Sequence, residues 1–159
     1  MSCTQHVFRR IKLSIYVANM IKVGQKSRGY KPHVARELLG VSKERLRYWK
    51  ANLDPKPTRT HFSASDLFAY RILQACVQDL RIIPSELKDF DLERIFEFCQ
   101  NRDIQTMENF ILLLNIQTKS LSINLESDFS DFRNRKICYL YLNELLKEHL
   151  VSFMSLGGK

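Results

Sequence analysis

The stretch "GVSKERLRYWK", Gly40 to Lys50, sets four basic side chains, a Tyr and the chain's single Trp directly after a glycine. Ser42 is a favoured helix N-cap, and the residues from Lys43 to about Asn52 are expected to form a helix with Leu46 as its buried anchor. Lys43, Arg47 and Lys50 then stand at i, i+4 and i+7, on one face. Upstream, Pro32 suits the first turn of a helix ending at Leu39, with Val34, Leu38 and Leu39 as its apolar stripe. Gly40 supplies the tight turn between the two. Two short helices joined this way describe a helix-turn-helix, whose second helix fits a DNA major groove. In that setting Arg47 suits a guanine edge, and Lys43 and Lys50 suit phosphates.

The residues that follow extend the pattern. "LDPKPTRTHF" is not helical, because Pro55 and Pro57 forbid it. Lys56, Arg59 and His61 sit there without an apolar stripe to bury, as in a basic wing that meets the phosphate backbone. Ser63 is placed to cap the next helix, in which Leu67, Tyr70, Leu73, Ala75 and Val77 begin an inward face. Pro84 and Ser85 open a further helical stretch with Leu87, Leu92, Ile95, Phe96 and Cys99 as core candidates.

Charge is unevenly distributed. Residues 1–60 hold 14 Lys/Arg against 3 Asp/Glu, whereas residues 61–159 hold 11 against 14, so the whole net charge of +8 originates in the first segment. That asymmetry implies a polyanionic partner rather than a mixed solubilising surface. With 45% hydrophobic residues in 159, the chain can fill a real core.

Beyond residue 102 the character changes. "FILLLNI" and "LSINL" flank the polar "QTKS", and Leu121, Ile123 and Leu125 alternate with Ser122 and Asn124, which predicts a β-hairpin. A long helix is expected from about Asp131 to Val151, with Ile137, Leu140, Tyr141, Leu145 and Leu146 on its apolar face. Residues 1–29 form an N-terminal extension in which "IKLSIYV" fits strand and helix spacing alike. "LSIYVANMI", Leu13 to Ile21, is too short to span a bilayer and lacks a cleavage pattern, so a cytoplasmic, nucleoid-associated protein without membrane attachment is expected.

Tyr30 to Leu73 resembles the winged helix-turn-helix of the MerR family of bacterial transcription regulators. The shared features are an opening Tyr30, the Gly40-Val41-Ser42 turn, Leu46-Arg47-Tyr48-Trp49, a Pro-containing wing, and Phe62-Ser63 followed by Asp66-Leu67. The Gly-Tyr-Arg usual in that wing is replaced here by "TRTHF". The resemblance implies DNA contacts from Ser42, Lys43, Arg47 and Tyr48, with Lys56, Arg59 and Arg71 as wing and post-wing basics. Tyr48 would reach a phosphate, and Trp49 would pack behind the wing.

The expected architecture is therefore mainly α with a small β part. It comprises an extension (1–29), a MerR-like winged helix-turn-helix domain (30–102), and an α+β C-terminal region of hairpin and long helix (103–159). The C-terminal region would mediate homodimerisation. The expected function is sequence-specific binding of double-stranded DNA in transcription regulation, through Ser42, Lys43, Arg47, Tyr48, Lys50, Lys56, Arg59, His61 and Arg71. The alternatives are an excisionase-like or architectural DNA-binding factor, or an adaptor docking on RNA polymerase or another regulator. No HExxH, GxGxxG, P-loop or GxSxG occurs, and His6, His33, His61 and His149 are scattered, with His33 and His149 expected on helix surfaces. No enzyme activity, metal or cofactor is expected. Cys3, Cys76, Cys99 and Cys138 lack CxxC spacing; Cys99 and Cys138 are read as small core hydrophobes.

Overall fold

A computed structural model describes residues 29–128 and 136–156. The residues over which strand and helix readings compete, and the expected start of the last helix at Asp131, lie outside these. The chain is mainly α with a small antiparallel sheet.

Helix α1 (Pro32–Leu39) starts on a proline that forfeits no helical hydrogen bond, and Ala35, Leu38 and Leu39 form its buried side. Gly40 ends it at φ 64°, in the left-handed region, and donates back into the last turn. Ser42 then caps α2 (Lys43–Asn52), its Oγ accepting from the Arg45 N–H at 3.1 Å. Helix α3 (Ala64–Gln78) opens with a capping box in which Ser63 and Asp66 exchange side-chain and backbone bonds. Ten of its fifteen residues are buried, so it is a central post covered on several sides rather than a surface helix. Helices α1 and α5 (Glu93–Gln100) pack on it.

The helical stretch expected from Pro84 onward is broken in two. Helix α4 (Pro84–Leu87) is a single turn, and α5 begins only at Glu93, with Phe90 and Leu92 buried in the connection. A short α6 (Ile104–Met107) leads into the expected hairpin, β1 (Phe110–Asn115) and β2 (Ser120–Leu125). At its tip Asn115 Oδ1 accepts from the N–H groups of Gln117 and Thr118, which turns the chain.

The last segment departs from expectation. Ile137–Tyr141, read as the first turns of the long helix, is strand β3, paired with β1 so that Ile111 faces Tyr141 and Asn115 faces Ile137. "ICYLY" is rich in β-branched and aromatic residues, and the unpaired edge of β1 is available to it. The sheet order is β2-β1-β3, with Leu112, Leu114, Leu121 and Leu140 on the face that joins the core. Helix α7 (Leu142–Leu156) follows at once and packs on α1 and α3. One hydrophobic cluster thus runs from Ala35 to Phe153, across residue 102, where the sequence suggests a domain boundary. Phe90, Phe96, Cys76 and Cys99 are buried in that cluster, while Cys138 is half-buried against it.

His149 is the second correction. Expected on a helix surface, it is 1% exposed and sits between the rings of Phe68, at 5.3 Å, and Phe153, at 4.8 Å. Neither ring nitrogen makes a well-formed hydrogen bond to a described residue; the Ala64 backbone supplies only a weak one. Burial first, then the charge of Arg71, lowers its pKa to about 3, with the Ala64 backbone offsetting only part. The neutral ring is therefore the folded form. Its contribution to stability is complete above the unfolded value near 6.5 and is lost as pH falls toward about 3. Between pH 7 and 5 this one proton should cost about 2 kcal/mol, at about 1.4 kcal/mol per unit below 6.5. Urea denaturation at both pH values checks it: His149→Leu should lose about 2 kcal/mol less than wild type, and equal losses would refute the assignment.

Candidate nucleic-acid interface

Helix α2 is anchored on one side and open on the other. Leu46, Trp49 and Leu53, at helical spacing, are 4%, 2% and 3% exposed. At about 100° per residue, the opposite side centres on Glu44, Arg47, Tyr48 and Ala51, with Lys43 and Lys50 along one flank and Arg45 along the other. Lys43, Arg45 and Arg47 are exposed, as is Tyr48, while Lys50 is half-buried. None of these cations pairs with a described carboxylate. Among the described residues the face is charged and unpaired, and it is backed by the buried Leu46, Trp49 and Leu53.

The loop that follows, Asp54–His61, is built around a buried carboxylate. Asp54 is 6% exposed and accepts from the Lys56 N–H at 2.7 Å, the Arg59 Nε–H at 2.9 Å and the Tyr70 hydroxyl at 2.7 Å. Arg59 also pairs with Asp66, which receives the Ser63 N–H and a 3.0 Å bond from Gln100 Nε2. Burial alone would lower the Arg59 pKa; the Asp54 hydrogen bond and both carboxylate charges outweigh it and raise the value. Burial, and then the bond to Asp54, pushes Tyr70 far up, so its hydroxyl stays a donor.

Two expected DNA contacts are corrected by this geometry. The Arg59 side chain is 9% exposed and spent on Asp54 and Asp66, so it does not face a phosphate. Arg71 is likewise turned inward: it donates to the Leu38 and Leu39 carbonyls at the end of α1, to Gln74, and to Ser152 on α7. Burial lowers its pKa, opposed by Glu148. These two basics hold the framework instead of lining its surface.

Of the remaining expected site residues, Ser42 is exposed but its Oγ is engaged as the helix cap. Lys56 projects from the loop into solvent. His61 is half-buried beside Thr60, with Nδ1 3.1 Å from its hydroxyl. The loop closes where Tyr30 and Phe62 exchange backbone hydrogen bonds, at 2.8 and 2.9 Å, which brings the exposed Lys31 to its end. Trp49 is buried, as the aromatic split requires, and Tyr48 is 45% exposed. The structure therefore brings Lys43, Arg47, Tyr48 and Lys50 together on α2, and withdraws Arg59 and Arg71. Sequence reasoning missed Arg45, Lys31 and Glu44. The helical periodicity of the sequence would have found the two on α2, since neither falls on the Leu46–Trp49 stripe.

Among the described residues no cluster of His, Cys, Asp or Glu is suited to a metal ion, and no helix is long and apolar enough to cross a membrane. No protein-family profile, characterised protein or solved structure matches the chain. The resemblance to MerR regulators rests on its motifs alone.

Removing one member of a buried, hydrogen-bonded ion cluster leaves the others desolvated and uncompensated. Asp54→Ala should therefore cost about 3–5 kcal/mol in chemical denaturation, far above the range for an exposed loop residue. A loss under about 1 kcal/mol would show that the cluster does not hold the loop.

Proposed function

We propose that the chain binds double-stranded DNA as a winged helix-turn-helix regulator of transcription, with α2 in the major groove and the Asp54–His61 loop as its wing. The observation that supports this most is the α2 face: exposed, unpaired cations on a helix whose other side is fixed by Leu46, Trp49 and Leu53. A duplex groove is wide enough for a helix and is walled by phosphates. The charge asymmetry of the sequence and the MerR-like motifs point the same way.

On this reading the contacts take distinct roles. Arg47, on the outermost side of α2, has a fork that matches a guanine edge, whereas Lys43, Arg45 and Lys50 flank it toward the groove walls. Lys56, from the loop, supplies a point charge to the backbone. If about five cations neutralise phosphates, log affinity should fall with log salt at a slope of roughly −4.5. Titration of a fluorescent duplex at several salt concentrations measures it, and a flat dependence or absence of binding at low salt would remove the reading. In the same assay Arg47→Ala should reduce discrimination between a selected site and scrambled DNA by about 1–3 kcal/mol. Lys56→Ala should weaken both equally and reduce the slope by about 1.

The reading includes self-association through the C-terminal region. Helix α7 spends one side on α1 and α3 and leaves Val151, 57% exposed, and Met154, 39% exposed, one turn apart on the other. Sedimentation of the full-length chain should show a concentration-dependent dimer; a monomer at every concentration would eliminate this element and leave DNA binding untouched.

A further inference from the structure

Helix α2 carries one carboxylate, Glu44, and it stands at the centre of the side facing away from the Leu46–Trp49–Leu53 stripe. An acid in a first turn complements the helix dipole, which accounts for its position along the axis. It does not account for its place around the axis, in the middle of a face otherwise made of Arg47, Tyr48 and flanking cations. Glu44 is exposed and forms no ion pair with a described cation, Arg47 one turn on included. Among the described residues its charge is therefore neither neutralised nor used by the fold.

A carboxylate so placed cannot meet a phosphate, and in a groove it needs a hydrogen-bond donor. Two base edges offer one in the major groove: the cytosine N4 amino group and the adenine N6 amino group. Adenine sets the N7 acceptor beside its donor, which repels a second carboxylate oxygen; cytosine does not. Residues three apart on a helix are about 4.5 Å apart along its axis. The rise between base pairs is about 3.4 Å. Glu44 and Arg47 thus span neighbouring pairs.

Resting on the DNA-binding reading, we propose that Glu44 is a specificity-determining residue. It accepts from the N4 amino group of a cytosine in the base pair adjoining the guanine read by Arg47. Against every other base at that position it presents an unpaired, desolvated charge, so it selects by rejection as well as by contact. The preferred half-site therefore holds a cytosine next to a guanine contact, and affinity for half-sites without that cytosine is held below what the cations alone would give.

The test begins with selection of bound duplexes from a randomised pool by the full-length chain. Competition follows between the four bases at the enriched position, for wild type, Glu44→Gln and Glu44→Ala. Glu44 is exposed and forms no ion pair with a described residue, so both variants should retain the fold. Wild type should favour cytosine by about tenfold or more. Glu44→Gln should transfer the preference to adenine, whose N6 and N7 a carboxamide matches bidentately. Glu44→Ala should bind the four bases nearly equally, having lost the cytosine contact and binding the other three more tightly than wild type. If both variants change affinity for the four bases by one common factor, Glu44 is only a bulk negative charge and the inference falls while DNA binding stands. If wild type enriches no duplex from the pool, the DNA-binding reading falls and takes the inference with it.

Discussion

Arg59 between Asp54 and Asp66 is the contact on which the geometry of the basic region depends. Three ionised groups are withdrawn from water there, a state that is tolerable only when each lone pair and proton is matched. The match is close: Asp54 receives Lys56, Arg59 and Tyr70, and Asp66 receives Ser63, Gln100 and Arg59. The partners come from the loop, from both ends of α3's first two turns, and from α5. A loop with two prolines and no apolar stripe would otherwise have little to fix it. The ion cluster replaces hydrophobic anchoring with an arrangement that tolerates no partial version, because a half-assembled cluster leaves a buried charge unpaired.

Arg71 does for α1 what Arg59 does for the loop. The last carbonyls of any helix lack intrahelical partners. Those of Leu38 and Leu39 are taken by Arg71 and Gln74 from α3, and Arg71 also reaches Ser152 on α7. The Gly40 turn therefore begins from a fixed point, and α2 leaves it at a fixed angle. Helix α7 belongs to this framework: it touches both α1 and α3, and its His149 and Phe153 continue a ring stack from Phe68 to Tyr30.

Local signals were legible where chemistry and position coincide in sequence. Ser42 and Ser63 as caps, Pro32 as an opener, Gly40 as a turn and the Leu121–Leu125 alternation each determine structure within a few residues, and each is found where the pattern places it. What was not legible depends on distant partners. Ile137–Tyr141 has helical spacing of its apolar residues, and becomes a strand because β1 offers an edge. Arg59 and Arg71 look like surface basics until Asp54, Asp66 and the end of α1 are brought beside them. His149 reads as a polar helix residue until Phe68 arrives from eighty residues away. In the candidate site the same division holds: Lys43, Arg47 and Lys50, whose surroundings are their own helix, and the solvent-facing Lys56 were readable, and Arg59 and Arg71, whose partners are distant in sequence, were not.

The two populations of basic residues also explain how a modest surplus of charge can serve recognition. Arg59, consumed by two buried carboxylates, contributes little to the outer field, and it and Arg71, held by the carbonyls of α1, tie the framework together. The cations on α2 that pair with no described residue keep long side chains on a helix held by the buried Leu46, Trp49 and Leu53. On the proposed reading, attraction to a polyanion comes from the free set and register comes from the buried set. Phosphate contacts alone carry no sequence information, and flexible cations on a loose helix would settle on any duplex equally well. Holding α2 through Leu46, Trp49 and Leu53 confines Arg47 and Glu44 to one position relative to the groove floor, and only then does a mismatched edge cost more than a small rearrangement.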